Sequence, residues 1–155
     1  MSEKIAVKGD WLVHADRAAV YAIISDFERM PEHFPRIAHA MKLLKREGQL
    51  LTLEAQAASF GKYFPKVKIK LEVELLPDRG YRCQTHNLSF NTRGDEELLL
   101  SDAPEGTRIE YTYYVALQYP LFLPLYAWLT RKLALPFWKH SFIDRLEEIL
   151  NPQPR

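Results

Sequence analysis

The stretch KVKIKLEVEL, Lys66 to Leu75, restricts the fold of this chain more than any other. Val67, Ile69, Leu71, Val73 and Leu75 alternate with Lys68, Lys70, Glu72 and Glu74. Successive side chains of an extended strand point to opposite faces, so this spacing gathers every apolar group on one side. A helix would scatter them around its axis. The stretch is therefore a strand of an antiparallel sheet with one dry and one wet face. The rest of the chain must supply a cover for the dry face.

The same period of two runs from about Arg36 to Tyr119. Leu51, Leu53, Ala55 and Ala57 alternate, as do Ile109, Tyr111, Tyr113, Val115 and Leu117. The turn signals REGQ, FGKYFP, PDRG, TRGD and APEG divide the region into about six antiparallel strands, most joined as hairpins. RCQTHNLSF alternates poorly, and its facing is the hardest to assign. Before this region, Ile5, Val7, Trp11 and Val13 predict a first strand, with a bulge at Gly9-Asp10. Asp16 stands where a carboxylate caps a helix, and Val20, Ile23, Ile24 and Phe27 have helical spacing. Pro31 suits the first turn of a second short helix, which Pro35 ends.

After Tyr119 the period returns to about 3.6. Pro136 falls within the pattern and predicts a kink. Beyond it, Trp138, Phe142, Leu146 and Ile149 form one stripe, with Asp144, Arg145, Glu147 and Glu148 largely opposite. This long C-terminal helix is the element large enough to cover the sheet. The order is one strand, two short helices, six strands and a long helix. It predicts a single domain over 1–150 and a disordered tail over 151–155, since NPQPR cannot continue a helix.

Composition narrows the partners. Lys and Arg total 21 against 20 Asp and Glu, a net charge of +1 and no electrostatic footprint for nucleic acid. One cysteine, Cys83, cannot form an intrachain disulfide, which fits a reducing cytoplasm. MSEKIAVKGD lacks the apolar core of a signal peptide, and no stretch is apolar for the ~18 residues a membrane span needs. The expected location is cytoplasmic, with peripheral membrane contact as a variant of it.

The element order resembles the helix-grip fold of the START and SRPBCC superfamily, an α+β fold. In it a curved antiparallel sheet, here of about seven strands, wraps a long C-terminal helix. Three local patterns carry the resemblance. DRAAVYAIISDFERMPEHFP matches the opening helix, the Asp26-Phe27-Glu28 turn and the Pro31-Glu32-x-Phe34-Pro35 segment. EGTRIEYTYYV, with Gly106, Thr107, Ile109 and Tyr111, is similar to the turn and last strand. LALPFWKHSFIDRLEEIL is similar to the closing helix. The nearest branch is the polyketide cyclase/dehydrase and coenzyme Q-binding-like group. That resemblance implies a cavity between sheet and helix for a hydrophobic small molecule, and in some relatives cyclisation or dehydration inside it.

The residues themselves offer little catalytic pattern. Among His14, His33, His39, His86 and His140 there is no His-x-x-x-His spacing, and no Cys-x-x-Cys, glycine-rich nucleotide loop or P-loop occurs. No metal and no cofactor is expected. Cys83 reads as a small buried hydrophobe. His86 on a strand and His140 on the long helix are the candidate acid–base pair, weighed against ordinary surface histidines. The expected pocket wall on the sheet is Met41, Leu53, Ala55, Ala57, Leu71, Thr85, Tyr111 and Tyr113. Trp128 and Phe137 are expected to line it from the helix. Ala55 and Ala57 leave volume that neighbours or a ligand must fill, and the tyrosines offer rings and orienting hydroxyls.

PLFLPLYAWLTRK, Pro120 to Lys132, is apolar nearly all round its start. Leu121, Phe122, Leu125 and Trp128 are expected to divide between docking on the sheet and forming an exposed lip at the pocket mouth. Such a lip would suit a membrane surface or a second copy of the chain. The sequence thus supports binding or transport of a lipid, quinone or polyketide-like molecule. A cyclase or dehydratase and a ligand-free protein-interaction module are the alternatives.

Overall fold

The structure is a computed structural model. It describes residues 4–58, 66–88, 92–116, 128, 132 and 135–151. Strand β1 (Lys4–Val13) is followed by helix α1 (Arg17–Ile24), a 3-10 turn (Phe27–Arg29) and helix α2 (Met30–His33). Six strands follow: β2 (Ala38–Glu47), β3 (Leu50–Ala58), β4 (Lys66–Leu76), β5 (Gly80–Asn87), β6 (Thr92–Ala103) and β7 (Gly106–Ala116). The C-terminal segment comprises α3 (Leu135–Trp138), a π-type turn (Lys139–Ile143) and α4 (Asp144–Leu150).

The strands form one seven-stranded sheet in the order β1-β7-β6-β5-β4-β3-β2, with every pair antiparallel. The sheet is a meander whose last strand returns beside the first. The fold is the helix-grip fold, with the C-terminal helix across the inner face of the curved sheet.

Alternation works as the sequence predicts in β4: Val73 and Leu75 are buried, Leu71 is half-buried, and Lys70, Glu72 and Glu74 are exposed. Three local expectations need correction. β1 pairs with β7 in unbroken register from Lys4 to Val13, so Gly9-Asp10 is no bulge. The irregular strand is the edge strand β2, whose register against β3 shifts twice. Asp16 occupies the cap position of α1, but its side chain makes no capping hydrogen bond. TRGD lies inside β6, not in a turn. The FGKYFP signal falls outside the described residues.

The C-terminal helix deviates near Pro136, as expected for a residue without a donor N–H, but the deviation is a π-type turn over Lys139–Ile143. Ser141, Phe142 and Ile143 are all buried there. Three consecutive residues of a surface helix would not share one dry side. Here Phe142 stacks on Phe34, just after α2, and Phe142 and Ile143 join the hydrophobic core. Polar contacts fix the helix. Arg145 Nε donates to the His33 carbonyl at 2.9 Å. The His14 backbone N–H donates to Glu147 Oε2 at 2.8 Å, and Asn151 Nδ2 donates to the His14 carbonyl at 2.6 Å.

Candidate functional site

Between the inner face of the sheet and the C-terminal helix lies a cavity of about 260 Å³. Its aliphatic wall includes Met30, Ile37, Met41, Ala55, Ile69 and Leu71. Its aromatic wall is Phe27, Tyr81, Tyr111, Tyr113, Trp138 and Phe142. Cys83, Thr85, Asn87 and Glu96 are the polar groups among the described lining residues. The volume has a local cause. Ala55 projects only a methyl where Leu53, two residues earlier on the same face, fills its space completely. Gly94 plays a related part on β6. A Cβ there would sit 2.7 Å from both Cε2 and Oη of Tyr113 and 2.9 Å from Thr85 Oγ1, so the missing side chain gives the phenol its place.

Glu96 is the unexpected member. β6 carries Gly94, Glu96, Leu98 and Leu100 on its inner face, and Glu96 stands opposite Cys83 of β5 and Tyr113 of β7. Tyr81 Oη donates to Glu96 Oε1 at 2.6 Å. The Tyr111 hydroxyl also hydrogen-bonds this carboxyl. The residue as a whole is half-buried while its carboxyl is enclosed by protein. Burial pushes its pKa above the ordinary carboxylate value, and the two phenol donors oppose that shift without cancelling it. Burial and the neighbouring Glu96 carboxyl together push Tyr81 and Tyr111 well above the usual phenol value, and the Cys83 thiol rises for the same two reasons. Cys83 is thus a poor nucleophile.

A run of stacked rings forms the cavity's helix side. Trp138 stacks on Tyr111 at 4.1 Å and on Phe142 at 4.2 Å between ring centroids, and Phe142 stacks on Phe34 at 4.3 Å. Trp11 also stacks on Trp138, at 5.3 Å. Its indole lies directly over Gly9, where a Cβ would come within 2.0 Å of the ring. Tyr111 therefore joins the carboxyl to the aromatic wall: its hydroxyl holds Glu96 and its ring packs on Trp138.

The structure brings Met41, Ala55, Leu71, Thr85, Tyr111 and Tyr113 together in the cavity wall. Leu53 is instead fully buried in the packed core. The side chain of Ala57 is outside the described residues. Phe137 does not line the cavity among the described contacts. One helical step turns a side chain by about 100°, and Trp138, four residues before Phe142, takes the inward position. Trp128 is 57% exposed, and its expected companions Leu121, Phe122 and Leu125 lie outside the described residues.

Neither histidine candidate lines the cavity. Inward positions of β5 are Tyr81, Cys83 and Thr85, so His86 faces outward, beside Lys70 and Arg93 in register. The His140 side chain is 65% exposed and lies 3.5 Å from Asp144 Oδ2. Parity in one case and helix rotation in the other separate the pair. Among the described residues no group of three His, Cys, Asp or Glu is placed to hold a metal ion.

A larger hollow, about 700 Å³, lies on the outer face of the sheet among Lys45, Glu72, Glu74, Arg82, Asp95 and Glu97. It is broad and open, and ion pairs such as Arg82–Glu97 at 2.8 Å sit in it. Solvated charges of this kind offer a small molecule little apolar surface and little net attraction. The inner cavity, lined mainly by apolar and aromatic side chains, is the better candidate despite its smaller volume.

No protein-family profile matches the sequence, and no curated protein matches it. Solved structures do match in shape. The di-domain ARO/CYC BexL from the BE-7585A biosynthetic pathway superposes with a TM-score of 0.79 at 12% identity, over 97% of this chain and 51% of that one. This chain therefore spans about half the length of BexL. The Zhui aromatase/cyclase from Streptomyces sp. R1128 gives 0.70 at 12% identity, over 96% of this chain and 92% of its own. TTHA0849 from Thermus thermophilus gives 0.68 at 22% identity, over 96% and 97%. At these identities the likeness is one of fold.

Proposed function

We propose that this chain binds one hydrophobic small molecule in the cavity between the sheet and the C-terminal helix. The observation that carries this reading is the cavity itself, apolar and aromatic on most sides, with a hydrogen-bonded carboxyl in its wall. Sites that combine an apolar wall with a few placed polar groups are the usual form of a small-molecule pocket. Burial of ligand surface would supply about 25 cal/mol per Å² before ordering costs. At about 260 Å³ the volume falls just below the ~300–1,000 Å³ of drug-sized pockets. It suits a compact ring compound better than a long-chain lipid.

Glu96 also favours a second reading, an aromatase/cyclase-like enzyme of the kind named among the fold neighbours. In that reading Glu96, rather than His86 or His140, moves the proton. Native mass spectrometry of freshly purified protein, with extraction of any bound compound, tests the binding reading. The expected result is one ring compound per chain, or one-to-one uptake of an added neutral aromatic probe. A chain that carries nothing and takes up no probe would contradict it. Turnover of an extracted compound, lost in Glu96→Gln with affinity retained, would favour the enzyme.

A further inference from the structure

The charge inside the cavity is one-sided. Among the described lining residues Glu96 is the sole ionisable carboxyl, and no Lys, Arg or His accompanies it. The protein holds the carboxyl with hydroxyl donors in place of a cation. A carboxylate offers about four lone-pair positions, and Tyr81 and Tyr111 occupy two of them. The rings nearby supply the apolar part of the site. Tyr111, Trp138 and Phe142 are stacked along the adjoining wall and bring no cation of their own, so they offer apolar surface beside the carboxyl. Enclosing the carboxyl is a cost already incurred on folding, and a positive ligand would offset it inside the same dry space. A negative ligand would meet a second negative charge there.

Granting that the cavity is a binding site, we propose that it selects a small hydrophobic amine in its protonated form. The ammonium donates to Glu96, and the apolar body lies along Trp138 and Phe142 toward Leu71 and Ala55. This names the ligand by charge as well as by greasiness, and it disfavours carboxylic acids such as fatty acids.

Three matched probes test it by isothermal titration at pH 7: 2-(1-naphthyl)ethylamine, 2-(1-naphthyl)ethanol and 1-naphthylacetic acid. The amine should bind at least about tenfold more tightly than the alcohol, and the acid should bind weakest. In Glu96→Gln the amine should lose about tenfold or more, while the alcohol changes by less than about threefold. Equal affinities for amine and alcohol, a preference that survives in Glu96→Gln, or tightest binding of the acid would each overturn the amine assignment and leave the binding reading standing. So would failure of all three while neutral N-phenyl-1-naphthylamine still binds. Failure of that probe as well would overturn both.

Discussion

The inner face of the sheet has two ends, and the same strands build both. At one end β6 presents Leu98 and Leu100 and β7 presents Thr107 and Ile109. With Val13, Val20, Ile24 and Leu146 they make a core in which most side chains have no exposed surface. At the other end β6 presents Gly94 and Glu96, β7 presents Tyr111 and Tyr113, and β3 offers Ala55. There the structure is hollow and polar groups turn inward. Close packing is the usual condition of a protein interior, so the hollow end forgoes stabilisation that its neighbour obtains. The contrast teaches that stability and binding are divided along each strand, not between separate elements.

The same substitution at both ends should expose this division most strongly. Leu98→Ala should cost about 2–5 kcal/mol in urea unfolding, because it removes a fully enclosed side chain. Leu71→Ala, on the hollow end, should cost clearly less, under about 2 kcal/mol, because its side chain is already half-exposed to the cavity. Equal losses would break the comparison.

Gly94→Ala should come next, destabilising by about 1–3 kcal/mol as Tyr113 is pushed from its place. Its effect on ligand uptake should exceed its effect on stability, since the displaced phenol enters the cavity. Unchanged stability and uptake would show that Tyr113 is not held by that contact.

Glu96→Gln should change stability in a way that depends on pH. The folded carboxyl titrates above its unfolded value of about 4.3. Stability linked to this group is fully present below that value and is lost as pH rises through the folded pKa. The variant lacks the titration, so it should gain on the parent as pH rises above the unfolded value and hold a constant difference above the folded pKa. A difference that is flat or falls with pH would mean that the carboxyl is not enclosed.

The smallest effect is expected at Ser141, whose hydroxyl is buried without a hydrogen-bond partner among the described residues. Ser141→Ala should be neutral or stabilising by up to about 1 kcal/mol. A loss greater than that would point to an unrecognised partner in the π-type turn.

Most of the fold is legible in the sequence because burial on one face of a strand writes itself as alternation, and burial on one side of a helix as a stripe. Six wall residues follow from that together with the resemblance to a fold with a cavity between sheet and helix. Glu96 does not stand out, although Leu98 and Leu100 continue back to it in steps of two. It sits in the run Asp95-Glu96-Glu97, which reads as wet, and its tyrosine partners lie on two other strands, 15 residues away in each direction. The glycine of TRGD reads as a turn for a similar reason: the approach of Tyr113 that requires it is a tertiary fact. His86 is misplaced by parity in a strand that alternates poorly, and the π-type turn has no sequence period of its own.

The division between a packed and a hollow end is tested most directly by titrating N-phenyl-1-naphthylamine into the parent and into Ala55→Trp, with circular dichroism confirming that both are folded. An indole at position 55 enters the cavity, at an overpacking cost of about 1–3 kcal/mol if it finds no space. The account predicts saturable one-to-one binding to the parent and its loss in the folded variant. Equal binding by both proteins would contradict it, placing the probe elsewhere and leaving the inner hollow without a function.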